Sequence, residues 1–264
     1  MVTLSRTVRF AVNDPAAERS PGTDANGYAG VPAMLGLARH YELVVACRGE
    51  PDAATGYFLD IKAIDHAARL HAIPHIARAC QQRPHASPAD VLSECLAPLH
   101  AALGGTLHTL RWALSPYYSL QMSPHDPHAA FLRQRFEFAA AHRLNVPSLT
   151  AEENRRLFGK CNNPAGHGHN YVVEPCVRTP LGPGAMSLPT LETLVRATII
   201  DRFDHTHLNV DVPEFRDGSG LNPSVENIAK VCFDLLAPAV AAKGASLGSV
   251  TVWETEKTSC TYPA

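Results

Sequence analysis

Apolar positions along the 264-residue chain fall into two successions of strand-like and helix-like periods. In Phe136-Glu-Phe-Ala-Ala-Ala-His142 the alternation puts Phe136, Phe138, Ala140 and His142 on one face, as a period of two requires. Gly36 to Arg48 can be laid over Gly166 to Arg178 at an offset of 130, with glycine, tyrosine and arginine coinciding, a weak internal repeat. In each half this strand leads into a turn and a helix. The first helix starts near Lys62 and carries Ile64, Ala68 and His71 or Ala72 at helical spacing. Its counterpart starts at Pro189, a residue suited to the first helical turn, and carries Leu191, Leu194, Val195, Ile199 and Phe203. A second helix carries Val91, Leu92, Cys95, Leu96, Leu99 and Leu103. Its counterpart follows the N-cap candidate Ser224 and carries Ile228, Val231, Cys232 and Leu235, with Gly244 near its end. Two strand-like segments close each half: 106–114 with 117–122, and 250–255 with 259–262.

Strand, strand, helix, helix, strand, strand, read twice, predicts an α+β protein. Each half is expected as a four-stranded antiparallel sheet with two helices on one face. The polar stretch from Ser123 to Ala130, with two prolines, is expected to be a linker between units 1–123 and 131–264. Pro175 in the second strand of the second half predicts an edge or a bulge. A lone four-stranded sheet leaves two open edges, so pairing into closed oligomeric barrels is expected.

Composition narrows the function classes. Hydrophobic residues make up 45% and charged residues 18%, with a formal net charge of −2, which carries no nucleic-acid or membrane footprint. The first residues lack the apolar core of a signal peptide, and no apolar run is long enough for a bilayer. Seven cysteines, odd in number, spread out and without a Cys-x-x-Cys pair, point to a reducing, cytoplasmic compartment. Most sit in apolar runs; Cys161 stands among Lys, Asn and Gly. No nucleotide-binding glycine fingerprint is present, so no external redox cofactor is expected.

The chemistry concentrates at residues 158 to 171. His167 and His169 share a strand face, and His142 joins them if the two strands pair. Three neutral ligands leave a zinc ion an open position, as in catalytic sites. Cys161 is then a candidate base or nucleophile. Asp204 beside His205 can fix that imidazole's tautomer. Glu254, in line with Val250 and Val252, is either at a solvated strand end or facing a ligand with N–H donors. Bland readings stand beside these. A lone His-x-His is more often structural, Asp-His pairs arise by chance, and Cys161 alone could be a buried or loop thiol. His66, His71, His75, His85, His100, His108, His125 and His128 show no partner pattern and read as surface or helix residues. In the first half Leu37, Ala38 and Arg39 stand at the aligned His-Gly-His, and Val12, Asn13 and Asp14 near the upstream histidine. His40 is one position out of register, and no cysteine precedes Gly36. That half is expected to be a scaffold.

Taken together, Phe138–Leu144, Glu152–Tyr171, Phe203–Asn209, Pro223–Ala229 and Val252–Thr255, in this order through residues 131–264, resemble the 6-pyruvoyltetrahydropterin synthases and their bacterial relatives, the 6-carboxytetrahydropterin synthases. The resemblance implies tandem tunnelling-fold (T-fold) units, the first degenerate. It implies Zn2+ on His142, His167 and His169. It implies Cys161 as proton-abstracting base, with Asp204 and His205 completing the acid–base machinery. Glu254 becomes the pterin anchor, with Ser224 and Thr255 as further substrate contacts. The implied reaction is a lyase step: loss of triphosphate from 7,8-dihydroneopterin triphosphate with internal redox tautomerisation. The implied partners are that pterin substrate and further copies of the protein in trimer-based barrels. Alternatives are the 6-carboxy product, which the five residues between Cys161 and His167 favour less, a non-catalytic pterin-binding scaffold, and an unrelated three-histidine hydrolase. Ser187 stands where the family usually has Asp or Asn, a position that Asp60 matches in the first half. Val225 stands where some members have threonine.

Overall fold

Alternating apolar residues build the first sheet of the computed structural model, which describes residues 1–14, 16 and 33–264. Strands β1 (Val2–Val12) and β2 (Arg39–Gly49) pair antiparallel with Phe10 opposite Tyr41 and Val12 opposite Arg39. Helices α1 (Ile61–His71), α2 (Ile73–Gln82) and α3 (Pro88–Ala102) follow. Strands β3 (Leu107–Ala113) and β4 (Tyr118–Ser123) complete an antiparallel order β1-β2-β3-β4. Val8, Phe10, Leu43, Val45, Leu110 and Trp112 are buried, as are Ile64, Ile76, Leu92 and Leu99 from the helices. Helices α1 and α2 lie against β1, and α3 against β3 and β4.

Two expectations are corrected here. The unit has three helices where two are expected, because Pro74 in the first turn of α2 breaks the run at Ala72. Proline lacks the N–H that a continuous helix needs and disfavours helical geometry before it. The 123–130 stretch is not a linker. Pro124 and His125 form a tight turn, and β5 (Asp126–Gln134) begins at once. Pro127 is tolerated at the start of a strand, where a missing donor costs least. The compact units are Met1–Leu132 with Pro180–Pro183, and Arg133–Thr179 with Gly184–Ala264.

The second unit opens with β6 (Phe136–His142) and α4 (Ala151–Phe158), then β7 (His167–Pro180). Next come α5 (Leu188–Val195), a π-helical turn at Arg196–Ile200 and α6 (Asp201–Phe203). The two-residue β8 (Thr206–His207), α7 (Leu208–Asp211), α8 (Val225–Ala241), β9 (Ser246–Thr255) and β10 (Thr258–Tyr262) complete it. Strand β6 pairs with β7, β7 with β9 and β9 with β10, all antiparallel, and β8 adds to β6 in parallel. Leu191, Val195, Ile199 and Phe203 are all fully buried. Their strict spacing of four outruns an ordinary helical turn of 3.6 residues. The π-turn absorbs the surplus residue and keeps the stripe facing inward. Pro175 sits opposite Val250, and the β7–β9 register shifts at Cys176/Val177, so the expected bulge lies one residue on. All seven cysteines are free. Among the described residues no helix is long and apolar enough to cross a membrane.

Helix α4 is the element that the periodicity overlooks, although Thr150-x-x-Glu153 spells its start. Thr150 Oγ1 accepts from the Glu153 N–H, and the Glu153 carboxylate accepts from the Thr150 N–H. Buried Asn154 ties the approach to the helix. Its Oδ1 accepts from the Val146 N–H at 2.7 Å, and its Nδ2 donates to the carbonyls of Val146, Leu149 and Thr150. Replacing Asn154 with alanine strands the Val146 donor. It should lower stability by about 1–3 kcal/mol, the usual cost of a buried unpaired group, as read from the urea midpoint.

Candidate active site

The register of β6 on β7 sets His142 opposite His167 and Ala140 opposite His169. Since side chains alternate, all three imidazoles leave the sheet on the face that also carries Phe138 and Tyr171. Ring centroids stand 4.5 Å (His142–His167), 4.9 Å (His167–His169) and 5.2 Å (His142–His169) apart. One nitrogen from each lies within 4.8 Å of the others. His142 is fully buried, and its Nδ1 lies 2.7 Å from the Pro223 carbonyl. A carbonyl only accepts, so Nδ1 carries the proton and Nε2 presents a lone pair. That Nε2 stands 3.1 Å from Nε2 of His167, while His169 Nε2 and His167 Nδ1 are buried without a partner.

Two of these imidazoles, His142 and His167, are biased toward the neutral form. Burial pushes His142 down to about 4, the other histidines add to the shift, and the Pro223 carbonyl opposes it. Burial, then His169, lowers His167 as well, against a raising influence of Glu254. Converging imidazole nitrogens suit a borderline metal such as zinc, and the orphaned His169 Nε2 would gain a partner. Glu254 Oε1 lies 3.4 Å from His142 Nε2 and 3.6 Å from His169 Nε2, so this carboxylate faces the cluster rather than bulk water. Tyr171 forms the floor. Its hydroxyl is buried without a partner, and its ionisation is pushed up by burial first, then by Glu254 and Cys161.

Cys161 reaches this neighbourhood through α4. Gly159, at φ 55°, ends the helix, and a 3-10 turn at Gly159–Asn162 carries the thiol. The turn is sewn to the end of β6. The Leu144 N–H donates to the Cys161 carbonyl at 2.9 Å, Arg143 Nε donates to the Asn162 carbonyl, and Asn162 Nδ2 donates to the Leu144 carbonyl. Gly166 has φ +72°, and a Cβ there would come within 2.6 Å of His207 Nε2 and 3.0 Å of the His142 carbonyl. Glycine is required for both reasons.

Asp204 and His205 pair with each other, Oδ2 to Nδ1 at 2.8 Å. Asp204 Oδ1 also accepts from the Ala139 N–H, and that bond, ahead of His205, holds the carboxyl below its usual range. His205 has φ 58°, the one positive value at a non-glycine among the described residues. Its ring is 84% exposed and borders a cavity of about 330 Å3 whose walls include Ala139, Ala140, Ala141, Gly168, His169 and Asn170. By the strand alternation Ala140 and His169 belong to the face of His142 and the other four to the opposite face, so the cavity borders both. The fold therefore gathers His142, His167, His169 and Glu254, and brings Cys161 near Tyr171. It holds Asp204–His205 against the Ala139 backbone of β6.

The remaining two candidates serve local structure. Ser224 Oγ accepts from the Asn227 N–H at 3.5 Å as the N-cap of α8, and its hydroxyl is the main cause holding Glu226 below its usual range. Thr255 is exposed, and its Oγ1 accepts from the Lys257 N–H in the turn to β10. Ser187 caps α5 as Asp60 caps α1, so the two positions do the same work. Pro223, Gly166, Tyr171 and His207 are the contributors that sequence reasoning passes over. Gly166 and Tyr171 carried a signal, as the glycine and tyrosine that recur at Gly36 and Tyr41. At the aligned place in the first unit, Asp14, Leu37 and Arg39 line a cavity of about 470 Å3 with Asn13, Cys80 and Gln81.

The family model for 6-pyruvoyl tetrahydropterin synthase matches residues 131–264. A Homo sapiens protein described as 6-pyruvoyl tetrahydrobiopterin synthase is 38% identical over 136 residues, 50% of this chain and 90% of that protein. One of the same description from Poecilia reticulata is 40% identical over 129 residues, 47% of this chain and 84% of its own length. The solved structure of Caenorhabditis elegans 6-pyruvoyl tetrahydropterin synthase is 33% identical, covering 52% of this chain and 96% of its own, with a TM-score of 0.47.

The depressed His142 gives a pH signature to the metal-free protein. Its ordinary value is 6.5 and its folded value about 4, so unfolding takes up a proton between these limits. Stability is then full above pH 6.5 and falls by about 3 kcal/mol as the pH drops through the window. Urea titrations of chelator-treated protein should show that slope, and His142→Gln should flatten it.

Proposed function

The chain belongs to the 6-pyruvoyl tetrahydropterin synthase family, and from that premise we propose that residues 131–264 form a zinc-dependent pterin synthase. It eliminates triphosphate from 7,8-dihydroneopterin triphosphate with internal redox tautomerisation. One observation carries the reading: three imidazoles converge beside the Glu254 carboxylate, above a tyrosine that feels the Cys161 thiol. His142, His167 and His169 would hold the zinc. When bound, the ion supplies Lewis acidity for the oxygens of the substrate's side arm.

The protein's own groups do the rest. Glu254 accepts hydrogen bonds from the 2-amino and ring N–H groups of the pterin, which fixes the ring against the metal side of the sheet. Cys161, as thiolate, takes the carbon-bound proton of the substrate's side arm that elimination requires. Pro223 keeps the proton of His142 on Nδ1, so the ligating nitrogen stays free. Asp204 holds His205 in one orientation through Nδ1, leaving Nε2 to give or receive a proton. The reading includes an oligomer in which His205 meets the thiol of a second copy. Residues 1–123 serve as a scaffold unit without metal ligands.

Incubation with 7,8-dihydroneopterin triphosphate tests the proposal. Release of triphosphate and a 6-pyruvoyl product by mass analysis are expected; a 6-carboxy product or no release overturns it. Cys161→Ala should lose about 10²–10⁴-fold in turnover, the range for a positioned acid or base, with zinc content retained. His167→Ala should lose the zinc. A Cys161→Ala protein of undiminished turnover would remove the thiol from the mechanism.

A further inference from the structure

The Glu254 carboxylate stands in an unexpected place for a group that binds pterin N–H donors. Its Oε1 lies 3.4 Å from His142 Nε2 and 3.6 Å from His169 Nε2, on two of the three histidines that can hold a metal ion. Antiparallel pairing of Val252 with Val173 carries Glu254, two residues on, toward Tyr171 and the His169 end of β7. Neither contact is a hydrogen bond. His142 keeps its proton on Nδ1, against the Pro223 carbonyl at 2.7 Å, so its Nε2 turns a lone pair to the carboxylate. His169 Nε2 is buried and has no hydrogen-bond partner. A carboxylate oxygen facing a lone pair is repelled, and a cation between them converts the repulsion into attraction.

The spacing matches a coordination shell. With zinc bonds of about 2.0–2.2 Å to nitrogen and oxygen, neighbouring ligand atoms of a tetrahedron stand roughly 3.3–3.5 Å apart. Here His142 Nε2 is 3.1 Å from His167 Nε2 and 3.4 Å from Glu254 Oε1, and that oxygen is 3.6 Å from His169 Nε2. The geometry points to Glu254 as a fourth metal ligand in the substrate-free protein, closing the position that three histidines leave open. This rests on the reading that those histidines hold the zinc. Glu254 then has two alternative partners, the ion and the N–H groups of the pterin. Its side chain is 22% exposed, which leaves it a path from one to the other. Pterin binding draws the carboxylate off, so the fourth position opens only when substrate is present.

Visible absorption of the full-length protein, stripped of metal and refilled with Co2+, tests this without substrate, because the bands follow the ligand set. Glu254→Gln and, separately, Glu254→Ala should shift those bands. Both should weaken Zn2+ binding by more than about tenfold, the loss that even an outer-shell partner causes. Glutamine keeps the shape of the side chain and alanine removes every ligand atom; the melting temperature of each metal-free variant checks the fold. Cys161→Ala should leave bands and affinity unchanged. Cobalt bands that stay in place in both Glu254 variants overturn the assignment, since a carboxylate acting by charge alone moves affinity and not the ligand set. Bands that move in Cys161→Ala and not in the Glu254 variants give the position to the thiol and overturn it too. Turnover is a separate readout. A protein with the expected bands that releases no triphosphate loses the pterin reading and keeps the fourth ligand; a protein that releases triphosphate with bands indifferent to Glu254 does the reverse.

Discussion

The pairing register of β6 with β7 is the constraint on which the candidate site rests. Slipping it by one residue would send every side chain of one strand to the opposite face. With His142 opposite His167, the imidazoles meet above Tyr171; otherwise they would be divided between the two faces. The stacked Phe138–Tyr171 pair, with centroids 5.0 Å apart, anchors the register in the core. The same pairing recurs in the first unit, where Phe10 stands opposite Tyr41. There the aligned positions carry Asp14, Leu37 and Arg39, so similar backbone geometry lacks the three imidazoles.

Burial does the chemical preparation. Desolvation disfavours the charged forms of His142 and His167, and the neighbouring imidazoles add to it. The Pro223 carbonyl then fixes which nitrogen of His142 keeps its hydrogen. The N-cap at Ser224 and the tautomer of His142 are thus set by neighbouring atoms at the start of α8. Glu254 completes the enclosure from β9, where two fully buried valines precede it on the same face.

Several details were legible in sequence because they depend on local spacing. His-Gly-His on a strand, the apolar alternation before His142 and the N-cap Ser224 all follow from periods of two and from capping chemistry. Other details depended on short signals that periodicity does not weigh. Pro74 split one expected helix into two, and Thr150 with Glu153 started a helix too short to show a stripe. The prolines of 123–130 looked like a linker because proline is common in both linkers and turns.

The amino-acid sequence by itself determined that His167 and His169 share one face of a strand and that Phe136, Phe138, Ala140 and His142 share one face of another, since alternation along a strand needs no tertiary information, whereas their meeting needs the β6–β7 pairing. Only the tertiary structure decided that Glu254 turns toward the imidazoles and that Pro223 holds His142. It alone placed Asp204–His205 against the Ala139 backbone of β6. Each of these depends on atoms distant in sequence meeting in space, and the order of residues along one strand or helix does not specify such meetings.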